Sequence, residues 1–190
     1  MTISADYLAQ QKKLHENPSY GNASIHFAPM VADILKATRS SSLSDYGAGK
    51  QRLRMALEKL NAAPKNYFPY DPVFPEYGPP KPADLVCCID LLEHIETDCI
   101  DLVIDELHSI TEKFGFFSIH THPAIKVLDG GRNAHIIQAP PSWWLSKLIP
   151  KFEILQLQSE DMGFWMVVGK KHLKPAFNTM GTREEQAKLH

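Results

Sequence analysis

The stretch Leu43-Ser44-Asp45-Tyr46-Gly47-Ala48-Gly49-Lys50-Gln51 sets an acid, two closely spaced glycines and a lysine side by side. Glycine adopts backbone conformations closed to other residues and lets the main chain come close to a ligand, while a following helix offers its N-terminal amides. A short strand running into such a turn and then a helix is how a parallel sheet cradles a nucleotide-like cofactor. Asp45 then stands at the carboxyl end of the strand, within reach of a polar ligand. Two more acids close apolar runs further on, Asp71 after Tyr67-Phe68-Pro69-Tyr70 and Asp90 after Leu85-Val86-Cys87-Cys88-Ile89.

A second group of chemically capable residues lies between His120 and His135. It includes His120, His122, Lys126, Asp129, Arg132, Asn133 and His135, with Trp143 and Trp144 shortly after. Imidazoles exchange protons near neutral pH, so His120, His122 and His135 are candidate catalytic bases. Hydrogen-bonding side chains beside exposed aromatics suit a sugar, nucleoside or other polar acceptor, which makes Arg132, Asn133, Trp143 and Trp144 candidate substrate contacts. His120-Thr121-His122 together with His135 also has the makings of a metal site, but no cysteine pair or compact carboxylate motif joins it and no metal is assigned. Glu93-His94 reads either as an acid–base pair or as a structural support at a helix start.

The elements that must position these groups are legible as alternating patterns. A polar amphipathic opening from Tyr7 to His15 and a turn around Asn17 to Asn22 precede Phe27, Met30, Val31, Ile34 and Leu35 at helical spacing. The strand Ser42 to Asp45 leads into a helix from Lys50 to Leu60 with Leu53, Leu57 and Leu60 in one stripe. A strand from Asn66 to Asp71 is followed by the proline-rich Pro72 to Pro82, which is excluded from regular helix and central sheet. A continuous apolar strand, Ala83 to Asp90, a helix from Cys99 to Lys113 and a buried strand from Phe114 to Ile119 come next. A short helix, Ser142 to Ile149, begins at Pro140-Pro141, and a closing hairpin pairs Glu153 to Gln158 with Phe164 to Val168. The expected fold is α/β: a doubly wound, mostly parallel Rossmann-like sheet ending in an antiparallel hairpin, with ligands bound at the carboxyl ends of the strands. Residues 1–172 are expected to form one domain and residues 173–190 a polar tail.

Composition narrows the function classes. The chain has 190 residues and 20 basic against 22 acidic side chains, a formal net charge of −2, so nothing global draws it to nucleic acid or an anionic membrane. Cys87 and Cys88 are neighbours in a strand and point to opposite faces, and with Cys99 they read as reduced thiols. The opening residues lack a basic stretch with an apolar core, and no apolar run approaches the roughly 20 residues that cross a bilayer. A cytoplasmic protein is expected.

Asp45 to Lys50, Tyr70-Asp71-Pro72, Asp90-Leu91-Leu92-Glu93-His94-Ile95 and the closing hairpin follow one another in an order that resembles class I S-adenosylmethionine-dependent methyltransferases, over Tyr7 to Lys171. The chain looks most similar to a compact bacterial and phage group with a Leu-His-Glu opening ending in Tyr-Gly, matched at Leu14 to Gly21, and a Gly-Arg-Asn-Ala-His loop, matched at Gly131 to His135. The resemblance implies S-adenosylmethionine as cofactor. It assigns the methionine part to Asp45, Tyr46, Gly47, Ala48 and Gly49, the ribose hydroxyls to Asp71 beside Pro72, and the pocket wall to Asp90 and Leu91. An acid at a strand end suits a ribose diol, since it can accept two hydrogen bonds. Three departures stand out. Gln51 replaces the family's glycine after Lys50, Val73 to Pro82 leaves little room for the usual third strand and its adenine-contacting acid, and Gly130 stands where an acid usually precedes Gly-Arg-Asn, with Asp129 one place earlier.

The expected activity is methyl transfer to a small polar or glycan-like acceptor. The alternatives are a cofactor-binding or scaffolding protein that has lost turnover, for which Gln51 is the direct hint, and a nucleic-acid methyltransferase, disfavoured because there is no Asn/Asp-Pro-Pro-Tyr/Phe motif, no Pro-Cys pair and no basic, aromatic-interleaved patch. A P-loop fails because Ser44 and Gln51 stand where it needs glycine and Ser or Thr, and a nicotinamide fold lacks its completed glycine motif. Oligomeric state is not encoded in any feature of the chain.

Overall fold

The computed structural model describes residues 3–171; the expected tail from residue 173 lies outside them. Two helices open the chain: α1 (Ala5–His15), whose first turn is capped by the Ser4 hydroxyl accepting the Tyr7 amide, and α2 (Ala23–Thr38). The remaining elements are β1 (Ser42–Tyr46), α3 (Arg52–Lys59), β2 (Asn66–Tyr70), β3 (Ala83–Ile89), α4 (Ile100–Ile110), β4 (Thr111–His120), α5 (Pro141–Leu148), β5 (Phe152–Glu160) and β6 (Gly163–Lys170).

Six strands form one sheet in the order β2-β1-β3-β4-β6-β5, with the first four parallel and β6 and β5 added antiparallel. The expected doubly wound α/β sheet with a C-terminal hairpin is therefore present. β2 lies at an edge, which is what allows Pro69 within it: the missing amide costs no ladder bond on the open side. The stretch after Asp71 carries a single 3₁₀ turn, Pro75–Tyr77, and no strand, as its prolines dictate.

The sheet is covered on both faces. Cys87 belongs to a core with Phe27, Val31, Leu53 and Leu57 from α2 and α3, whereas Cys88 belongs to one with Val103, Leu107, Trp144 and Leu148 from α4 and α5. Adjacent residues of a strand point to opposite sides, so the two thiols mark the two layers. No helix among the described residues is long and apolar enough to cross a membrane.

Two boundaries differ from the sequence reading for identifiable reasons. Leu60 does not join the stripe of Leu53 and Leu57; it is 47% exposed, because α3 stops at Lys59 and the chain reverses through Asn61 at φ 54°. The helix expected to reach Lys113 ends at Ile110, where the Thr111 hydroxyl caps the Leu107 carbonyl at 2.7 Å and Thr111 pairs with Ala83. Sheet pairing wins over helical periodicity there.

Trp144 is completely buried between α4, α5 and the sheet. Replacing it with alanine removes the largest buried side chain and is expected to lower the unfolding free energy by about 3–5 kcal/mol in denaturant titration. A loss below about 1 kcal/mol would contradict this packing.

Candidate functional site

The carboxyl ends of β1, β2, β3 and β4 open on a cavity of about 320 Å³. The chain leaves β1 outward to β2 and then crosses back to β3 on the other side, so the loops after β1 and β3 diverge here, as at the ligand crevice of doubly wound sheets. Tyr7, Gln11 and His15 of α1, with Tyr20 from the connection to α2, form the opposite wall.

The glycine turn requires its glycines. Gly47 has φ 87° and Gly49 φ 47°, and a Cβ on Gly47 would lie 2.7 Å from Leu91 Cδ2. The amides of Gly47 and Ala48 both donate to the Tyr70 carbonyl, at 2.8 and 2.9 Å, which anchors the turn to the end of β2. Asp71 completes the anchor: its Oδ2 accepts the Gly49 amide and its Oδ1 the Val73 amide, each at 2.9 Å. Lys50 and Arg52 are spent elsewhere, donating to the carbonyls of Asn17 and Pro18 and tying the α1–α2 connection over the turn. Gln51, the residue after Lys50, takes the left-handed conformation that glycine prefers, at φ 55°.

Burial disfavours the charged form of every acid at this end. Asp45 is 3% exposed, receives a hydrogen bond from Tyr67, and has a pKa raised to about 7 by burial. Burial likewise raises Asp71 and lowers His15, whose Nδ1 is buried without a hydrogen-bond partner. Tyr46 turns its hydroxyl to Glu106 of α4.

At the ends of β3 and β4 the polar groups are different. Asp90 is itself strained, at φ 46°, and is held by Ser118, whose hydroxyl accepts the Asp90 amide and donates to Oδ1. Asp90 Oδ2 stands 3.5 Å from His120 Nε2. Glu93, fully buried and with its pKa raised well above the ordinary value by that burial, accepts the His120 amide at 3.1 Å through Oε1. His94 and His135 meet edge to face with ring centroids 4.8 Å apart, and His135 and His120 with centroids 5.5 Å apart.

Every residue that the sequence assigns to the cofactor, from Asp45 to Gly49 with Asp71, Pro72, Asp90 and Leu91, lines the cavity, and so do His120 and His135. His122 does not; its ring is exposed beside the Thr121 hydroxyl. The assigned substrate contacts lie elsewhere. Asn133 bonds both the amide and the carbonyl of Ala124 as well as the His135 amide, and Arg132 lies over the Tyr7 ring at 5.3 Å, so both anchor the loop. Trp144 is in the core, and Trp143 packs at its margin with Lys147 over its ring. Two adjacent positions on a short helix that packs on a sheet have no common exposed face to offer a ligand. The residues that the sequence reading missed are Tyr7, Gln11, His15 and Tyr20; the Leu14 to Gly21 opening was a signal for the last two.

Two consequences are measurable. Gln51→Gly relieves a left-handed residue whose side chain makes one exposed contact, to Arg54, and is expected to raise stability by up to about 1 kcal/mol; a loss of that size would contradict the strain. A carboxyl whose pKa is raised on folding adds stability below its unfolded value, and this is lost as pH rises through the folded value, here from about 4 to about 7. Asp45→Asn should therefore be more stable than the parent by about 2–4 kcal/mol at pH 8, with the gap closing toward pH 4. Parallel stability curves for the two proteins would contradict the burial of this acid.

No family model matches this chain, and no curated protein matches its sequence. Solved structures do match in shape. An O-methyltransferase family protein from Burkholderia thailandensis is 10% identical, with a TM-score of 0.57 over 88% of this chain and 62% of its own, so this chain spans less than two thirds of that relative. The 1,6-didemethyltoxoflavin-N1-methyltransferase of the same organism, solved with bound 1,6-didemethyltoxoflavin and S-adenosylhomocysteine, is 14% identical, with a TM-score of 0.58 over 90% of this chain and 92% of its own. Magnesium protoporphyrin IX methyltransferase from Synechocystis PCC 6803, with S-adenosylhomocysteine bound, is 14% identical, with a TM-score of 0.52 over 88% and 95%. At such identities the likeness is one of fold, and the chain has the Rossmann-like fold of these methyltransferases.

Proposed function

We propose that this chain binds S-adenosylmethionine at the glycine turn and transfers its methyl group to a small polar or glycan-like acceptor entering between the turn and the histidines. The observation that carries the reading is Asp45, a carboxyl kept inside the protein at a cost in stability, lining a cavity beside two left-handed glycines. A desolvated acid of this kind pairs with a cation, and the methionine part of the cofactor brings an ammonium group. Asp71 uses one lone pair of each oxygen on a backbone amide, so each oxygen keeps one for a ribose hydroxyl. The shape relatives solved with S-adenosylhomocysteine support the choice of cofactor.

The bound sulfonium supplies an already activated methyl group, which leaves the protein to position the acceptor and take its proton. His120 lines the cavity, and Asp90 opposite its Nε2 stabilises the imidazolium that forms when it takes that proton. Gln51 adopts the left-handed conformation open to a glycine, so the turn keeps its shape without one, which favours an intact cofactor site over a scaffold.

Calorimetric titration of refolded, cofactor-free protein with S-adenosylmethionine and S-adenosylhomocysteine is expected to show micromolar binding of both. Asp45→Asn and Asp71→Ala should each weaken it by about 1–3 kcal/mol. Binding requires Asp45 ionised, so affinity should fall as pH drops through about 7 and be about tenfold weaker at pH 6 than at pH 8. Unchanged affinity in both variants would contradict the site.

A further inference from the structure

The groups beside His120 are arranged in a way that methyl transfer does not demand. A backbone carbonyl can only accept, so the Nδ1 of His94, 2.8 Å from the Ala134 carbonyl, and the Nδ1 of His135, 2.6 Å from the His122 carbonyl, both carry protons. In the neutral rings each Nε2 is then a bare lone pair. Next to them is Glu93, whose Oε2 is buried without a hydrogen-bond partner. A buried polar atom in that condition calls for a ligand. One donor atom from each of Glu93, His94 and His135 lies within 4.8 Å of the other two.

We propose that Glu93, His94 and His135 form a binding site for a divalent transition-metal ion. Two imidazoles and a carboxylate are the donor set of zinc and of non-haem iron sites, and they select a borderline cation over magnesium or calcium. The bonds from Nδ1 to backbone carbonyls are the outer contacts that orient ligating imidazoles and fix their tautomer. Ligands about 2.0–2.2 Å from one ion stand at most about 4.4 Å apart, so the trio closes through small side-chain rotations. Three protein ligands leave a position open on the cavity, which His94 and His135 line together with Asp90 and His120. The strand order sets this site at β3 and β4, apart from the glycine turn and Asp71 at β1 and β2. The ion site stands without the methyl-transfer reading; its use rests on it, the open position taking the oxygen of a hydroxyl acceptor and lowering its pKa.

The trio differs from the His120, His122 and His135 grouping suggested by the sequence, since His122 contributes its carbonyl to the site and not its ring. The full-length protein, stripped with a chelator, is titrated with Co²⁺ and then Zn²⁺, followed by calorimetry and by the visible spectrum of cobalt. One ion per chain is expected, with an imidazole-ligated cobalt spectrum that Zn²⁺ displaces. His135→Ala should weaken binding at least tenfold with far-ultraviolet dichroism unchanged, whereas His108→Ala, remote from the cavity, should leave it unaltered. Should the loop need the lost hydrogen bond, His135→Gln can still donate to the His122 carbonyl and should show the same loss. Absence of saturable one-to-one binding, or binding unaffected by the His135 substitution, overturns the proposal. Titrating the same samples with S-adenosylhomocysteine separates the two readings: its binding without an ion defeats only the metal site, and an ion without its binding defeats only methyl transfer.

Discussion

The carboxylate of Asp71 joins the carboxyl ends of β1 and β2. By accepting the Gly49 amide through one oxygen and the Val73 amide through the other, it fixes the turn after β1 against the turn after β2. The Tyr70 carbonyl, one residue earlier, takes the amides of Gly47 and Ala48. The turn so held has positive φ at Gly47 and Gly49 and lies close to Leu91, with Asp45 at its base in β1. The clamp is costly, because Asp71 is buried and its ionised form is disfavoured there.

The same tension recurs across the cavity. Asp45, Asp71 and Glu93 are all buried, and burial raises each of them. Asp45 and Asp71 line the cavity, and Glu93 lies beside His94 and His135, which line it too; perturbed acids gathered in this way are a mark of functional sites. The acids at β1 and β2 face the cradle suited to a nucleoside and an amino-acid tail, while the acid at β3 sits among imidazoles. One edge of the sheet thus carries two chemically distinct halves.

Periodicity made the sheet and its helices legible, because burial on two faces leaves long apolar runs such as Ala83 to Ile89 and a helical stripe such as Ile100, Val103, Ile104 and Leu107. The acids at the strand ends were legible for the same reason, each marking where an apolar run stops. What stayed hidden depends on contacts between distant segments. Tyr7, His15 and Tyr20 reach the cavity through contacts between distant segments, Lys50 and Arg52 holding the first connection over the turn and Ser4 bonding Glu96. Arg132 and Asn133 looked like substrate ligands, yet Asn133 satisfies the backbone of its own loop and Arg132 lies over the Tyr7 ring of α1. The two tryptophans could not be sorted from the sequence, since their exposure depends on which face of α5 meets the sheet.

The most direct measurement is an amide-resolved nuclear magnetic resonance titration of ¹⁵N-labelled protein with S-adenosylhomocysteine. If the cradle is the cofactor site, the amides of Gly47, Ala48, Gly49 and Val73 shift together and saturate, while those of β5 on the far edge of the sheet stay still. Saturating ligand that leaves the cradle amides unmoved would contradict the account.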